Sequence, residues 1–280
     1  MRESTLLRVK YVLGAFGLLG PGESLIRAVM PSGKEIRATQ RNMGSFYGQF
    51  IKRNDLAFDV GANFGNRVDV FLQLGARVVA VEPQEKCNRY LRLKYKKRKD
   101  VILVPKGVDA QPGKRDLLIA VEDSAMASMS SARIAAVTDA RHLPGGRWNT
   151  TETVEVTTLD DLIREFGEPV FCKIDVEGFE YQVLKGLSRP LKSLSFEYTP
   201  EFIGPAMECV RHLETLSPYQ FNYSPGETMA MALPTWVNAD GIMKILETLA
   251  SALNPPGDVY AVRVARSASD LSADKGTGLT

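Results

Sequence analysis

The most constraining feature of this sequence is a regular alternation of short apolar runs and amphipathic segments that begins at residue 56. Runs such as LAFDV (56–60), RVVAV (77–81) and VILV (101–104) are separated by segments whose apolar residues recur at helical spacing. This alternation is typical of a parallel sheet, because parallel neighbours need a long crossover connection that is usually a helix. The sequence therefore predicts an α/β fold with a doubly wound, mostly parallel sheet and helices on both faces.

The rest of the chain is arranged around this core. Residues 1–55 form a lead-in segment in which we expect a helix and a small hairpin, with the hairpin in MPSGKEIRAT (30–39). Residues 56–266 form the predicted main domain, which a polar, small-residue stretch near 123–149 interrupts as an insertion or mobile loop. Residues 267–280 are small and polar, and we expect a flexible tail there.

Charge and hydropathy limit the partners that such a chain can have. Lys and Arg total 35 against 33 acids, and this near balance gives no reason to expect a nucleic-acid partner. The basic run LRLKYKKRKD (91–100) fits a solvated helix end better than a nucleic-acid surface. The apolar stretch YVLGAFGLLGPG (11–22) is too short to span a bilayer, so it predicts packing on the domain, with peripheral membrane contact as the alternative.

The cysteines indicate the compartment. The chain has three, Cys87, Cys172 and Cys209, an odd number of widely separated residues without metal-site spacing. This usage argues against a disulfide framework and favours a reducing, cytoplasmic location.

Two acids lie at the ends of neighbouring predicted strands, where an open parallel sheet binds its ligands. Asp59 is in LAFDV and Glu82 follows RVVAV; between them, Gly61 and Gly65 form a loop. Asn63 occupies the place where a dinucleotide fingerprint has its middle glycine. An acid at Asp59 disfavours a phosphate and suits a positive charge, whereas Glu82 suits ribose hydroxyls. This combination favours S-adenosylmethionine, which carries a ribose and an ammonium but no phosphate, over a nicotinamide dinucleotide.

Four motifs in one order extend this interpretation: DVGANFGN (59–66), VEP (81–83), TLDDLI (158–163) and KIDVEGFEYQVLKG (173–186). With these motifs, the sequence resembles the FkbM family of methyltransferases over about residues 33–264, within the class I, Rossmann-like enzymes. The resemblance implies an S-adenosylmethionine-dependent methyltransferase. The predicted cofactor-binding residues are Asp59, Gly61, Ala62, Asn63, Gly65, Asn66, Glu82, Pro83 and Gly107.

The second strong motif supplies the predicted catalytic residues Lys173, Asp175 and Glu177. Lys173 and Asp175 project from one face of the predicted strand PVFCKIDV, near its end, because side chains alternate along a strand. We expect Asp175 to act as a base or to orient the acceptor, with Lys173 as its electrostatic partner and Glu177 as a secondary candidate. The alternative is that the acids only favour the N-terminus of the following helix, which would not explain Lys173.

A metal ion is not expected, although one arrangement leaves it open. Glu197 ends the next predicted strand, SLSFEYT, on the same side of the sheet as Asp175. Their oxygens are ligands of the kind that Mg²⁺ prefers.

The acceptor is predicted from the residues at the end of the strand FCKIDV. Amine and nucleobase methyltransferases commonly have an Asn or Asp, two prolines and an aromatic residue there, whereas this sequence has DVEG. We therefore favour oxygen methylation of a small hydroxylated molecule, and the resemblance makes a sugar, glycolipid or secondary metabolite plausible. A non-catalytic S-adenosylmethionine-binding module and a nicotinamide oxidoreductase are the alternatives. Tyr47, in the lead-in segment, is expected either to cap the cofactor or to pack.

Overall fold

The computed structural model describes residues 33–120, 127–132, 148–250 and 254–264. The predicted tail (267–280) and the apolar N-terminal stretch (11–22) lie outside the described residues. The predicted insertion (123–149) is described only at residues 127–132 and 148–149.

A seven-stranded sheet forms the centre of the fold. Its strands are β1 (Leu56–Val60), β2 (Arg77–Val81), β3 (Val101–Val104), β8 (Phe171–Ile174), β9 (Ser193–Tyr198), β10 (Tyr219–Pro225) and β11 (Gly257–Arg263). The strand order is β10-β11-β9-β8-β1-β2-β3. β11 pairs antiparallel with both β9 and β10, and the remaining neighbours are parallel. The predicted doubly wound, mostly parallel α/β sheet is confirmed.

Seven helices of the described chain cover the two faces of this sheet. They are α1 (Gly33–Tyr47), α2 (Asn66–Gln73), α3 (Glu85–Tyr95), α4 (Leu159–Phe166), α5 (Glu180–Lys185), α6 (Gly204–Leu216) and α7 (Ala239–Leu249). Side chains alternate along β1, so Phe58 packs in one core with α4 to α7, while Ala57 packs in the other with α1 to α3. Asp59, two residues after Ala57, therefore faces the core of α1 to α3.

A second, four-stranded sheet lies between β3 and β8 in the sequence. Its strands are β4 (Gly107–Val108), β5 (Gly113–Ala120), β6 (Ala127–Ser128) and β7 (Trp148–Thr157) in the order β4-β7-β5-β6. β5 and β7 correspond to the predicted strands RDLLIAVE and ETVEVTTL. They pair antiparallel with each other around Leu117 and Val154 and add no strand to the main sheet.

The predicted hairpin in MPSGKEIRAT is wrong from residue 33 onward, because α1 begins at Gly33 and continues to Tyr47. The last turn of α1 buries Phe46 and Tyr47 against the main sheet, with the Tyr47 ring 5.7 Å from that of Phe171. This packing stabilises a helix, and it overrides the Pro-Ser-Gly turn signal on which the hairpin was based. In the described part of the chain, none of the helices has the length and hydrophobicity that a bilayer crossing requires.

Candidate active site

The glycine loop after β1 and the turn after β8 meet at the carboxyl edge of the sheet. Asp59 and Lys173 are register partners in the neighbouring strands, and the Asp175 amide donates to the carbonyl of Val60 at 2.9 Å. A Cβ on Gly61 would lie 1.9 Å from the Asp175 carbonyl oxygen, and Gly61 has a φ of +86°. Only glycine permits both this conformation and this approach. The two predicted motifs thus share one backbone contact.

The loop amides are directed at β2. Those of Gly61 and Ala62 donate to the Val81 carbonyl at 2.9 and 3.0 Å, and that of Asn63 donates to Glu82 Oε2 at 2.8 Å. A phosphate-binding loop instead presents successive amides to its ligand. The use of these three amides within the fold therefore disfavours a dinucleotide phosphate at this loop.

Glu82 is held at the end of β2 and is only 3% exposed. Its two carboxylate oxygens accept from the backbone amides of Asn63 and Gln84, the latter at 2.9 Å. Burial raises the pKa of Glu82 to about 7, although these two hydrogen bonds oppose the rise. Each carboxylate oxygen has two lone pairs, so Glu82 can still accept hydrogen bonds from the hydroxyls of a ribose.

Asp59 is 2% exposed, and its Oδ2 has no hydrogen-bond partner among the described residues. Burial raises the pKa of this carboxyl to about 7, while the positive charges of Lys173 and Arg67 oppose that rise. An orphaned buried carboxylate oxygen beside the loop suits a cationic group. Asp59 and Glu82 together therefore fit the ammonium and the ribose of S-adenosylmethionine.

Lys173 has no exposed surface and is engaged by two carboxylates. Its Nζ lies 2.9 Å from Asp258 Oδ1 and 3.3 Å from Asp175 Oδ2. Burial alone would lower the pKa of Lys173, but Asp175 and Asp258 raise it well above its usual range. The predicted neighbourhood of Lys173 and Asp175 is therefore present, although only Asp175, at 28% side-chain exposure, reaches the protein surface.

A cluster of three carboxylates lies at this edge: Asp175, Glu177 and Glu197 each offer one oxygen, and these oxygens are within 4.8 Å of one another. Glu177 is in the turn after β8 with a positive φ of 57°, and its carbonyl accepts a 2.7 Å hydrogen bond from Ser128 in β6. The small sheet thus contacts the turn that carries Glu177. Exposed acidic groups are common without an ion, and these three side chains are only partly buried. Their proximity alone therefore does not make the cluster a metal centre.

The other predicted cofactor residues lie in or beside α2, β2 and β4. Asn66 begins α2, and Pro83 follows Glu82 at the end of β2. Gly107 begins β4 just after β3, and a Cβ there would lie 3.0 Å from Val156. Tyr47 is fully buried among aromatic rings, which supports its packing alternative.

Several residues of the site carry no sequence signal that could have revealed them. The Tyr95 hydroxyl in α3 donates to the Gly65 carbonyl at 3.0 Å, and Lys94 donates to that of Phe64 at 3.0 Å, so the basic run braces the loop. Asp258 pairs with Lys173 from β11, and Arg67 in α2 lies 2.7 Å from Glu227, a residue of the segment after β10. Their roles depend on contacts between distant segments, which periodicity and spacing do not encode.

Comparisons with known proteins identify a family for the chain. A family model described as "Methyltransferase FkbM domain" matches residues 59–223. No significant match was found among curated proteins.

Three solved structures illustrate the structural similarity. The precorrin-6y C5,15-methyltransferase from Geobacter metallireducens is 12% identical, with a TM-score of 0.43 and coverage of 83% of this chain and 91% of that chain. An rRNA methylase from Streptococcus thermophilus is 12% identical, with a TM-score of 0.40 and coverage of 79% and 94%. Fibrillarin from Aeropyrum pernix, with bound S-adenosyl-L-methionine, is 8% identical, with a TM-score of 0.41 and coverage of 76% and 68%.

The family match confirms the resemblance predicted from the four motifs, together with the predicted enzyme class and cofactor. The matched family is one of methyltransferases, the class that the motifs favour over a nicotinamide oxidoreductase. Because the matched residues 59–223 make up more than half of the chain, the protein belongs to the FkbM methyltransferase family and is an S-adenosylmethionine-dependent methyltransferase.

Proposed function

We propose that this methyltransferase transfers the methyl group to a hydroxyl oxygen of a small molecule such as a sugar, a glycolipid or a secondary metabolite. In this proposal Asp175 is the base or orienter of the acceptor, Lys173 is its electrostatic partner and Glu177 is a secondary candidate. The observation that carries the proposal is the 3.3 Å contact between the partly exposed Asp175 carboxylate and the fully buried Lys173 ammonium.

The location of Asp175 suits this role. S-adenosylmethionine supplies an already activated methyl group, so the protein has to align the acceptor with it and accept a proton from the hydroxyl. Asp175 immediately follows β8, and its backbone contacts the loop at Gly61 that belongs to the proposed cofactor site. A base at this point is close to the cofactor loop and partly exposed to solvent.

Lys173 acts through Asp175 in this proposal. Its side chain is fully buried, so direct contact with an acceptor is not required of it. A buried ammonium favours the ionised form of a neighbouring carboxylate and holds it in one orientation. Lys173 is therefore a positioning residue.

The proposed cofactor site pairs each acid with one part of S-adenosylmethionine. Asp59 faces the ammonium, because its Oδ2 is buried without a partner among the described residues. Glu82 accepts from the ribose hydroxyls, and its bonds to the backbone amides of Asn63 and Gln84 hold the carboxylate in place.

The cluster of three carboxylates at the carboxyl edge of the sheet favours a neutral, hydroxyl-rich acceptor. Asp175, Glu177 and Glu197 offer carboxylate oxygens within 4.8 Å of one another, and ionised carboxylates only accept hydrogen bonds. Hydroxyl groups can donate to all three. The phosphates of a nucleic acid would be repelled by them, which supports a small polyhydroxylated molecule over RNA.

Product identification tests this proposal. The purified protein is incubated with a small-molecule cell extract and S-adenosylmethionine carrying an isotope-labelled methyl group, and labelled products are characterised by mass spectrometry and NMR. We expect a methyl ether on a hydroxylated molecule, formed at least about 100-fold more slowly with Asp175→Asn and at an unchanged rate with the exposed control Asp240→Asn. A labelled N-methyl product would overturn the oxygen acceptor, and an unchanged labelling rate with Asp175→Asn would overturn the assigned base.

A further inference from the structure

Arg67 is a largely buried cation that directly follows the glycine loop in the sequence. It is the second residue of α2 (Asn66–Gln73), whose N-cap is Gly65 in a left-handed conformation. The side chain is only 12% exposed, and the guanidinium carbon lies 5.9 Å from the centre of the Tyr47 ring. The guanidinium therefore lies against α1 near the start of α2.

The guanidinium is incompletely satisfied. Its Nη2 lies 2.7 Å from Glu227 Oε2 and its Nη1 lies 3.5 Å from Met43 Sδ, while its Nε is buried without a hydrogen-bond partner among the described residues. Glu227 comes from the segment after β10, and its side chain is 47% exposed. An ion pair with such an exposed acid is weak, and a buried guanidinium usually satisfies its donors more fully.

The surrounding charges indicate what Arg67 faces. Arg67 interacts electrostatically with Asp59 and Asp258, so it lies in the same buried region as the end of β1. Lys173, a second buried cation in this region, is already engaged by Asp175 and Asp258. Arg67 is thus the better placed of these two cations to receive an additional anion, and the N-terminus of α2 adds a partial positive charge beside it.

The cofactor carries one anionic group. If the ribose lies at Glu82 and the ammonium lies at Asp59, the amino-acid end of S-adenosylmethionine extends over the loop towards the start of α2. We propose that Arg67 binds the α-carboxylate of S-adenosylmethionine through its guanidinium. This inference rests on the proposed cofactor site at Asp59 and Glu82, and it does not depend on the methyl acceptor.

A binding experiment isolates this contact. Calorimetry measures the affinity of the full chain for S-adenosylhomocysteine and for the analogue that lacks only its carboxyl group. We expect Arg67→Met to lower the affinity for S-adenosylhomocysteine about 10–100-fold, because a charge-assisted hydrogen-bonded pair is lost. The affinity for the analogue should stay within about threefold. Substituting Arg67 and removing the ligand's carboxyl group should not have additive effects on the binding free energy, because both changes remove the same contact. Equal losses for the two ligands, or no loss for either, would overturn the assignment.

Glu227→Gln is the matched control. It breaks the ion pair of Arg67 from the other side and leaves the guanidinium in place. We expect it to keep the affinity for S-adenosylhomocysteine within about threefold of the original protein. A loss as large as that of Arg67→Met would show that the ion pair, and not a cofactor contact, explains the effect.

Two further measurements keep the outcome decisive. If Arg67→Met does not fold, the unmodified protein still tests the proposal, because it should bind the carboxyl-free analogue about 10–100-fold more weakly than S-adenosylhomocysteine. Methylthioadenosine, which has the adenosine part but no amino acid, tests the proposed ribose contact of Glu82 separately. Its affinity should fall about 10–100-fold with Glu82→Ala and stay unchanged with Arg67→Met, so a failure of the ribose site is distinguished from a failure at Arg67.

Discussion

The Lys173 ammonium and the Asp258 carboxylate form a buried ion pair across 85 positions of the sequence, with Nζ 2.9 Å from Oδ1. The pair joins the central strand β8 to β11, which is separated from it in the sheet by β9. Lys173 also contacts Asp175, so β11, the last strand in the sequence, supports the proposed catalytic carboxylate through Lys173.

Removing one member of this pair should destabilise the protein. Asp258→Asn leaves a buried ammonium with Asp175 as its remaining carboxylate, and we expect a loss of about 3 kcal/mol in the free energy of unfolding, measured in urea. The control is Asp100→Asn, which breaks the exposed pair with Arg98 and should cost less than about 1 kcal/mol. Similar small losses for both variants would contradict a structural role of Asp258.

Asp175→Asn should affect turnover rather than cofactor binding. The variant loses the proton acceptor, so we expect kcat for the identified acceptor to fall about 10²–10⁴-fold. Affinity for S-adenosylhomocysteine should stay within about threefold, because the proposed cofactor contacts are made by Asp59 and Glu82. A rate that falls only as far as cofactor affinity falls would show that Asp175 serves binding instead.

Glu82→Ala should weaken binding of the cofactor. The variant removes the proposed ribose acceptor and the 2.8 Å tether of the Asn63 amide. We expect calorimetry to show about 10–100-fold weaker binding of S-adenosylhomocysteine. Glu85→Ala, which removes a nearby exposed acid from the start of α3, is the control and should leave the affinity unchanged. Unchanged affinity in Glu82→Ala would remove the ribose assignment.

Gly61→Ala and Gly44→Ala should have opposite effects on stability. At Gly61 the new Cβ would lie 1.9 Å from the Asp175 carbonyl oxygen, and the φ of +86° is strained for alanine. We expect a loss of more than about 2 kcal/mol. Gly44 lies within α1, and an added Cβ there would meet no atom within 4 Å, so alanine should stabilise the helix by up to about 1 kcal/mol. Thermal unfolding distinguishes the two, and a tolerated Gly61→Ala would contradict the close contact between loop and turn.

Stability and cofactor affinity should change in opposite directions with pH. Burial raises the pKa of both Asp59 and Glu82 to about 7, so the folded protein retains protons that the unfolded chain has released. The free energy of unfolding without cofactor should therefore fall as pH rises from about 4 to about 7. Affinity for S-adenosylmethionine should rise as pH increases through about 7, because the ionised carboxylates are the better acceptors for the ammonium and the ribose hydroxyls.

The control for this pH dependence is Asp59→Asn. It removes one of the two titrating groups and should reduce the slope of stability against pH. A slope that is unchanged in this variant, or cofactor affinity that does not vary with pH, would show that Asp59 does not titrate in this range.

The strands and the two motif loops could be predicted from the sequence because their signals are local. The apolar run ending near Asp59 and the positive-φ glycine at Gly61 are properties of adjacent residues, and they locate the carboxyl edge of the sheet without any distant information. The predicted hairpin at MPSGKEIRAT was wrong from residue 33 onward, because a local turn signal was weaker than the packing of Phe46 and Tyr47 on the sheet.

The sequence by itself determined the fold class, the family motifs and the acids that end β1, β2 and β8, since alternation, glycine placement and charge at strand ends are written in short stretches of chain. Only the tertiary structure decided that Asp258 pairs with Lys173 and that Glu227 reaches Arg67 across 160 positions. The physical reason is that sheet order and register bring these residues together, and no local pattern encodes which distant strand will lie beside another.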